Sequence, residues 1–373
     1  MTLKESLNIK NGIYTFAYPP DELLLECGEN FGPINIAWES YGTLNKKKDN
    51  AVLICHALTG NSHVAGLKGK EKGWWDPIVG PGKPFDTDKY FIICSNFLGG
   101  CSGSSGPSSI NPKTNEPYGM SFPTITIRDM VNCQKELLEK HFGIEQLLSV
   151  VGGSIGGMQV LKWAVLYPDF MRSIIPIATT AKLSPQAIAF NKIGRRCIML
   201  DPKWNNGNYY KDMPELDGLA LARMVAHITY LSEESMIHKF GRESRERSIY
   251  DFNDSFEVEH YLAHQGYRFV KQFDANSYLY LSKAMDIYDL SRGYDSLKGA
   301  LTRIKAQILS IAFTSDWLFP PFQTEEMVDI LKELNKDIEY KSLETHKGHD
   351  AFLLEYDLIN PIIENFMNSL YKI

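Results

Sequence analysis

Residues 150–158 read Val-Val-Gly-Gly-Ser-Ile-Gly-Gly-Met, and this stretch constrains the chain more than any other. The apolar run from Leu147 to Val151 predicts a buried strand. Met158 to Tyr167 lacks helix breakers and stops at Pro168, which predicts a helix. Between them four glycines crowd one hydroxyl, Ser154. Strand, glycine turn with a central serine and helix together match Gly152-x-Ser154-x-Gly156, the nucleophile elbow. Such a turn holds the serine in strained backbone geometry, and only small neighbours let strand and helix pass so closely.

The rest of the chain alternates around this motif. Ile34, Ile36 and Trp38 alternate with polar or small residues, as in a half-buried antiparallel strand. Residues 51–55, 90–94 and 173–178 are further buried strands, with Pro176 near the end of its strand. Residues 124–142 carry an apolar helical face closed by Gly143. This order of strands and helices predicts a mostly parallel sheet with right-handed crossovers. Residues 184–297 interrupt it with helical runs at 184–198, 216–231, 257–272 and 275–289. They predict a helical lid inserted into a discontinuous core of residues 1–183 and 298–373. The sheet resumes at 306–313, followed by a helix at 324–334, a strand at 338–343 and a closing helix at 352–371. Residues 1–32 give no clear pattern.

A serine hydroxyl needs a base within hydrogen-bond reach, and the base needs an orienting carboxylate. In the fold that uses this elbow the chain order is Ser, acid, His. Asp316 follows the strand ending at Phe313. Two histidines follow the last short strand, His346 and His349, and the flanking Gly348 and Asp350 favour His349. The loop after the strand at 51–55, His56-Ala-Leu-Thr-Gly60, is placed to supply one backbone N–H of an oxyanion hole, and the residue after the serine supplies the other. Leu58 and Ile155 are the candidates.

Other function classes are disfavoured. A net charge of −6 and the absence of a dense basic patch argue against a nucleic-acid surface. No apolar run reaches the roughly 20 residues of a membrane helix. The polar start Met-Thr-Leu-Lys-Glu-Ser predicts no secretory signal, and six cysteines without a Cys-x-x-Cys pair suit a reducing, cytoplasmic setting. Neither His56 with His63 nor His346-x-x-His349-Asp350 forms a compact ligand set, so no metal is expected. No Gly-x-Gly-x-x-Gly or P-loop is present, and no resident cofactor is expected.

Several stretches together are far more specific than the elbow. They are His56-Ala-Leu-Thr-Gly-Asn-Ser-His-Val-Ala-Gly66, Gly73-Trp-Trp-Asp76, Leu98-Gly-Gly-Cys101, Gly106-Pro-Ser-Ser109, Ser154-Ile-Gly-Gly-Met-Gln159, Ser315-Asp-Trp-Leu-Phe-Pro-Pro321 and Gly348-His-Asp-Ala-Phe352. They closely resemble the homoserine O-acetyltransferase family, from about residue 12 to the C-terminus. The resemblance implies an α/β-hydrolase core with a helical lid, a homodimer built largely through the lids, and acetyl transfer from acetyl-CoA, as cosubstrate, to L-homoserine in methionine biosynthesis. It places the nucleophile at Ser154, the acid at Asp316 and the base at His349. It puts the substrate arginine of the Leu-Ala-Arg-Met stretch at Arg223 and a second substrate contact at Asp350. Arg223 suits a carboxylate and Asp350 an ammonium group, the two ends of a zwitterionic amino acid. Asp350 also suits a helix N-cap before Ala351. Ile155 departs from the methionine often found there, but the contact is a backbone N–H. Residues 102–105 vary among relatives and bear on the acyl donor. A homoserine O-succinyltransferase, a serine O-acetyltransferase and a serine esterase are the alternative readings.

Overall fold

The computed structural model describes residues 8–66, 72–244, 250 and 256–370. The polar N-terminal stretch, part of the expected lid (245–249 and 251–255) and residue 371 of the expected closing helix lie outside these.

Eight strands form one sheet. They are β1 (Lys10–Phe16), β2 (Ile34–Tyr41), β3 (Ala51–Cys55), β4 (Phe91–Ser95), β5 (Leu147–Gly153), β6 (Met171–Ile177), β7 (Gln307–Phe313) and β8 (Ile338–Leu343). Their spatial order is β1-β2-β4-β3-β5-β6-β7-β8. β2 pairs antiparallel with β1 and β4, and every other pairing is parallel. The buried run of β3 serves both faces: Ala51, Leu53 and Cys55 join the core on one side, Val52 and Ile54 that on the other. A parallel strand covered by helices on both faces has no polar side, which is why these segments read as continuous apolar runs.

Two core helices bear on the site. α1 (Ile127–Glu136) starts one residue after Thr126, whose hydroxyl accepts the Asp129 N–H at 3.2 Å. It runs on through a wider-turned segment, Leu137–Phe142, to Gly143 at φ +64°. α2 (Ile155–Leu166) begins directly after Ser154. The sequence predicted a start at Met158, because glycine is a weak helix former. Close packing overrides propensity here: a side chain on residue 156 would overlap the carbonyl of Cys55 in β3.

The chain leaves the sheet after β6. Lys182 bridges Asp289, and the Leu290 N–H donates to the Ala181 carbonyl at 2.8 Å, so the outgoing and returning strands of the lid form one neck. The lid holds α3 (Pro185–Leu200), α4 (Asp217–Tyr230), α5 (Glu233–Phe240), α6 (Glu257–Val270) and α7 (Ala275–Asp286). α4 packs against both α3 and α6. α8 (Leu297–Thr302) leads back to β7. α9 (Pro321–Glu333) and α10 (Tyr356–Leu370) complete the core. The single closing helix expected at 352–371 is instead a short 3-10 turn, Gly348–Leu353, followed by α10.

Candidate active site

Ser154 sits between β5 and α2 with φ +59° and ψ −126°, a positive-φ conformation rare for a residue with a side chain. The strain is held by the sheet: the Ser154 N–H donates to the Ile177 carbonyl at 3.0 Å, and the Thr179 hydroxyl donates to the Ser154 carbonyl at 2.9 Å. Both partners lie at or just beyond the end of β6, so the neighbouring strand fixes the elbow.

Asp316 follows β7. Its Oδ1 accepts the N–H groups of Leu318 at 3.0 Å and Phe319 at 2.9 Å, and its Oδ2 lies 2.7 Å from His349 Nδ1. The carboxylate accepts, so His349 carries its proton on Nδ1 and leaves Nε2 as a lone pair. Both side chains are buried, and the His349 ring is walled by Phe319, Phe352 and Tyr230 at 5.0, 5.7 and 6.1 Å between centroids. Burial alone would lower the imidazole's proton affinity. The charge and hydrogen bond of Asp316, with the charge of Asp350, outweigh it and raise His349 above the usual histidine value.

Leu58 lies in the turn after β3 and Ile155 is the first residue of α2. A first-turn N–H has no acceptor within its own helix, so that of Ile155 is available to a developing oxyanion. Ser154 and Leu58 line one narrow cavity of about 40 Å³, closed by lid residues including Ala187, Phe190, Tyr230 and Tyr278.

Arg223 projects from α4 in the lid. Its guanidinium lies 4.7 Å from the Phe269 ring and 5.5 Å from that of Tyr230, and Nη1 donates to the Thr59 hydroxyl at 3.5 Å. The lid cation is thereby held beside the Leu58 turn. Asp350 is inside the 3-10 turn, whose N-cap is Lys347, so its carboxylate does not serve as that cap. Burial raises the Asp350 carboxyl, while His349, Arg223 and Lys239 pull it back. Among the described residues no ion pair within 4.0 Å joins Arg223 to Asp350. Each feels the other's charge and neither neutralises it.

A model of the α/β hydrolase fold matches residues 50–356. The chain is 56% identical over 356 residues to a homoserine O-acetyltransferase of Deferribacter desulfuricans, covering 94% of each protein. The chain belongs to the homoserine O-acetyltransferase family. The crystal structure of a homoserine O-acetyltransferase from Bacillus anthracis superposes with a TM-score of 0.89 at 32% identity, covering 96% of this chain and 98% of that one. The structure of esterase E22 superposes almost as well, with a TM-score of 0.88 at 31% identity, covering 96% of this chain and 100% of that one. The two chemistries share one scaffold.

Against this family background the remaining histidines stand apart. His346 faces the lid: its carbonyl accepts the Ser232 hydroxyl and its ring lies 5.4 Å from that of His238. His56 stacks on Phe97 at 3.7 Å, and burial pulls it down to about 4. His63 Nδ1 lies 3.0 Å from Glu39. No cluster of three metal-ligating side chains occurs among the described residues. Sequence reasoning missed Tyr230 and Thr59. Tyr230 stands seven residues after Arg223 on α4, the spacing that returns to one helix face. Thr59 adjoins Leu58. Both were legible as neighbours of residues already singled out.

Proposed function

We propose that this chain transfers an acetyl group from acetyl-CoA to the hydroxyl of L-homoserine through an acyl-Ser154 intermediate. O-acetyl-L-homoserine is then supplied for methionine biosynthesis. The observation that carries the reading is the 2.7 Å Asp316–His349 contact, set beneath a lid that holds Arg223 near Asp350 without an ion pair.

In the first half-reaction Ser154 Oγ attacks the thioester carbonyl carbon and its proton passes to His349 Nε2. The backbone N–H groups of Leu58 and Ile155 donate to the oxyanion. The C–S bond breaks, the proton goes to the coenzyme A sulfur, and the free thiol leaves. In the second half-reaction the homoserine hydroxyl attacks the acyl carbon while His349 takes its proton. The C–Oγ bond breaks and the proton returns to Ser154. Arg223 grips the homoserine carboxylate in its planar fork and Asp350 takes the ammonium group.

The lids offer a surface for a homodimer: Leu200, Leu221, Ile228 and Ile237 are exposed apolar side chains on α3, α4 and α5. No helix among the described residues is long and apolar enough to cross a membrane, and a cytoplasmic setting suits acetyl-CoA as cosubstrate. Because esterase E22 shares the fold, ester hydrolysis is the reaction to be told apart from transfer. Product analysis by mass spectrometry separates the two. Acetyl-CoA with homoserine should yield O-acetylhomoserine. Free acetate at the same rate with and without homoserine would overturn the transferase reading.

A further inference from the structure

The Gly73-Trp-Trp-Asp76 motif takes no part in the chemistry above, yet it ties three pieces of the site together. The turn lies along residues 61–66, the continuation of the Leu58 loop. The Trp75 N–H donates to the Val64 carbonyl at 2.9 Å, the Gly66 N–H donates to Asp76 Oδ1 at 2.7 Å, and Trp74 Nε1 donates to the Asn61 carbonyl at 2.8 Å. A side chain on residue 73 would overlap the Val64 backbone, so the two segments touch. From this platform the Trp75 ring, fully buried, reaches across the fold. Its Nε1–H donates to the carbonyl of Phe352 at 3.1 Å. Phe352 lies in the short turn that carries His349, and its ring lies 5.7 Å from the imidazole. The other side of that ring meets the elbow: a Cβ on Gly153 would stand 2.5 Å from it.

We infer that Trp75 is a positioning residue, bracing the His349 turn against the oxyanion loop and, through the Phe352 ring, against the backbone before Ser154. The indole contributes both bulk and a donor. Bulk fills the core beside Phe85, at 6.1 Å between rings. The N–H fixes where the Phe352 carbonyl stands, and with it the placement of His349 relative to the elbow. A turn of six residues has little internal rigidity, so a buried hydrogen bond from a distant element sets its orientation. Rate then depends on the brace, because transfer needs reacting atoms held close to their productive geometry. Arg223, the proposed carboxylate contact, lies on lid helix α4 outside the brace, whereas Asp350 shares the braced turn, so acylation by acetyl-CoA, which uses neither, reads the brace through rate alone.

This inference rests on the Ser154–His349 reading of the site. Trp75→Phe keeps an aromatic ring but removes the donor, together with part of the indole's bulk beside Phe85. Acylation by acetyl-CoA and deacylation by homoserine should both slow by about 2- to 13-fold, the rate equivalent of one hydrogen bond worth about 0.5–1.5 kcal/mol. The KM for acetyl-CoA should stay within twofold. Phe352→Leu, which keeps the carbonyl but thins the ring beneath Gly153, should likewise lower both rates. Folding is followed by circular dichroism, and rates are normalised to the serine titrated by a phosphonate. Unchanged rates in a folded Trp75→Phe, or a loss confined to KM, would overturn the brace. If Trp75→Phe does not fold, Phe352→Leu decides, with unchanged rates counting against it. The wild-type protein run alongside separates the two levels: no acyl transfer by wild type fails the functional reading, whereas normal wild-type turnover with equal variants fails only the brace.

Discussion

A Cβ added to Gly348 would stand 2.6 Å from the carbonyl oxygen of Tyr230, so the end of lid helix α4 rests directly on the backbone that presents His349. Gly348 also has φ +74°, and its N–H donates to the Ser315 hydroxyl at 3.0 Å, next to Asp316. Lid, acid and base therefore meet at one residue without a side chain. Gly348→Ala adds strain of about 1–3 kcal/mol and pushes the turn from the lid. Unfolding in urea should register that loss of stability. Turnover should fall by about 10²-fold, as expected for a misplacement near 1 Å. Wild-type turnover with lowered stability would separate the contact from the chemistry.

The two histidines after β8 make a direct comparison. His349 is bonded to Asp316 in the buried site, whereas the His346 ring lies against His238 of the lid. His349→Ala should reduce turnover on the order of 10³–10⁶-fold, since members of such a triad act as a unit. His346→Ala should cost less than about tenfold, because its ring lies against His238 and Asp316 is bonded to His349 instead. Steady-state kinetics of the two variants check the assignment, and a reversal of the effects would transfer the role of base to His346.

How much of this was legible in the sequence follows from what each signal measures. The Gly-x-Ser-x-Gly turn and the order Ser, Asp, His were readable because backbone strain and burial restrict residue type at those points. β1 was not readable. Gly12 packs its bare backbone on Trp38, while Ile13 is 59% exposed, so the expected alternation is erased. α5 escaped for a related reason. It is eight residues long, and Ile237, one of its apolar residues, faces outward. The break between the His349 turn and α10 was hidden because Phe352 and Leu353 look like helix core, whereas the Phe352 carbonyl is given to Trp75. Long-range contacts decided these cases, and local pattern carries no trace of them.

The raised proton affinity of His349 fixes the sign of the pH dependence. The base must be neutral to act, so kcat/KM for acetyl-CoA should fall on the acid side with a midpoint above 6.5, the ordinary histidine value. Asp350 is one of the carboxylates that raise it, so Asp350→Asn should move that midpoint down. For stability the sign is opposite. A group that binds its proton more tightly when folded stabilises fully below its unfolded value near 6.5. That contribution is lost as the pH rises through the folded value. His227, pulled down to about 3 by burial and by the charges of Arg223 and Lys239, stays neutral throughout this range. An acid limb below 6.5 would mean that burial, not Asp316, dominates the imidazole.

On the proposed reading, Arg223 belongs to one half-reaction only. Acetyl-CoA brings no carboxylate to the lid, whereas homoserine does. Arg223→Ala should slow deacylation by homoserine roughly 10- to 150-fold, the equivalent of about 1.5–3 kcal/mol for a charged hydrogen bond, and leave acylation near its wild-type rate. Arg223→Lys should restore only part, because an ammonium group lacks the planar fork. Rapid-quench measurement of both half-reactions tests this. Equal losses in both would make Arg223 a packing residue, held by Phe269 and Tyr230.

The likeness to esterase E22 sharpens the question of why an acyl-serine here should wait for homoserine when water is present at about 55 M outside the site. The space beside Ser154 is about 40 Å³, and most of its lining is apolar: Leu58, Leu183, Ala187, Phe190, Val225, Met285, Leu318 and Phe319. The polar side chains there are Ser154, Asn191, Thr229, Tyr230 and Tyr278, and a water is held only where two to four polar partners reach it together. Homoserine held at both charged ends, as proposed, would present its hydroxyl at high effective concentration. Intact-mass analysis after acetyl-CoA alone should therefore find an acetyl adduct on Ser154, and Ser154→Ala should abolish it. Coenzyme A release should be slow without homoserine and much faster with it. A lid variant that opens the wall, such as Phe190→Ala, should raise the share of hydrolysis before acylation is lost. Thiol release that is indifferent to homoserine, with no O-acetylhomoserine formed, would place this chain with the esterases.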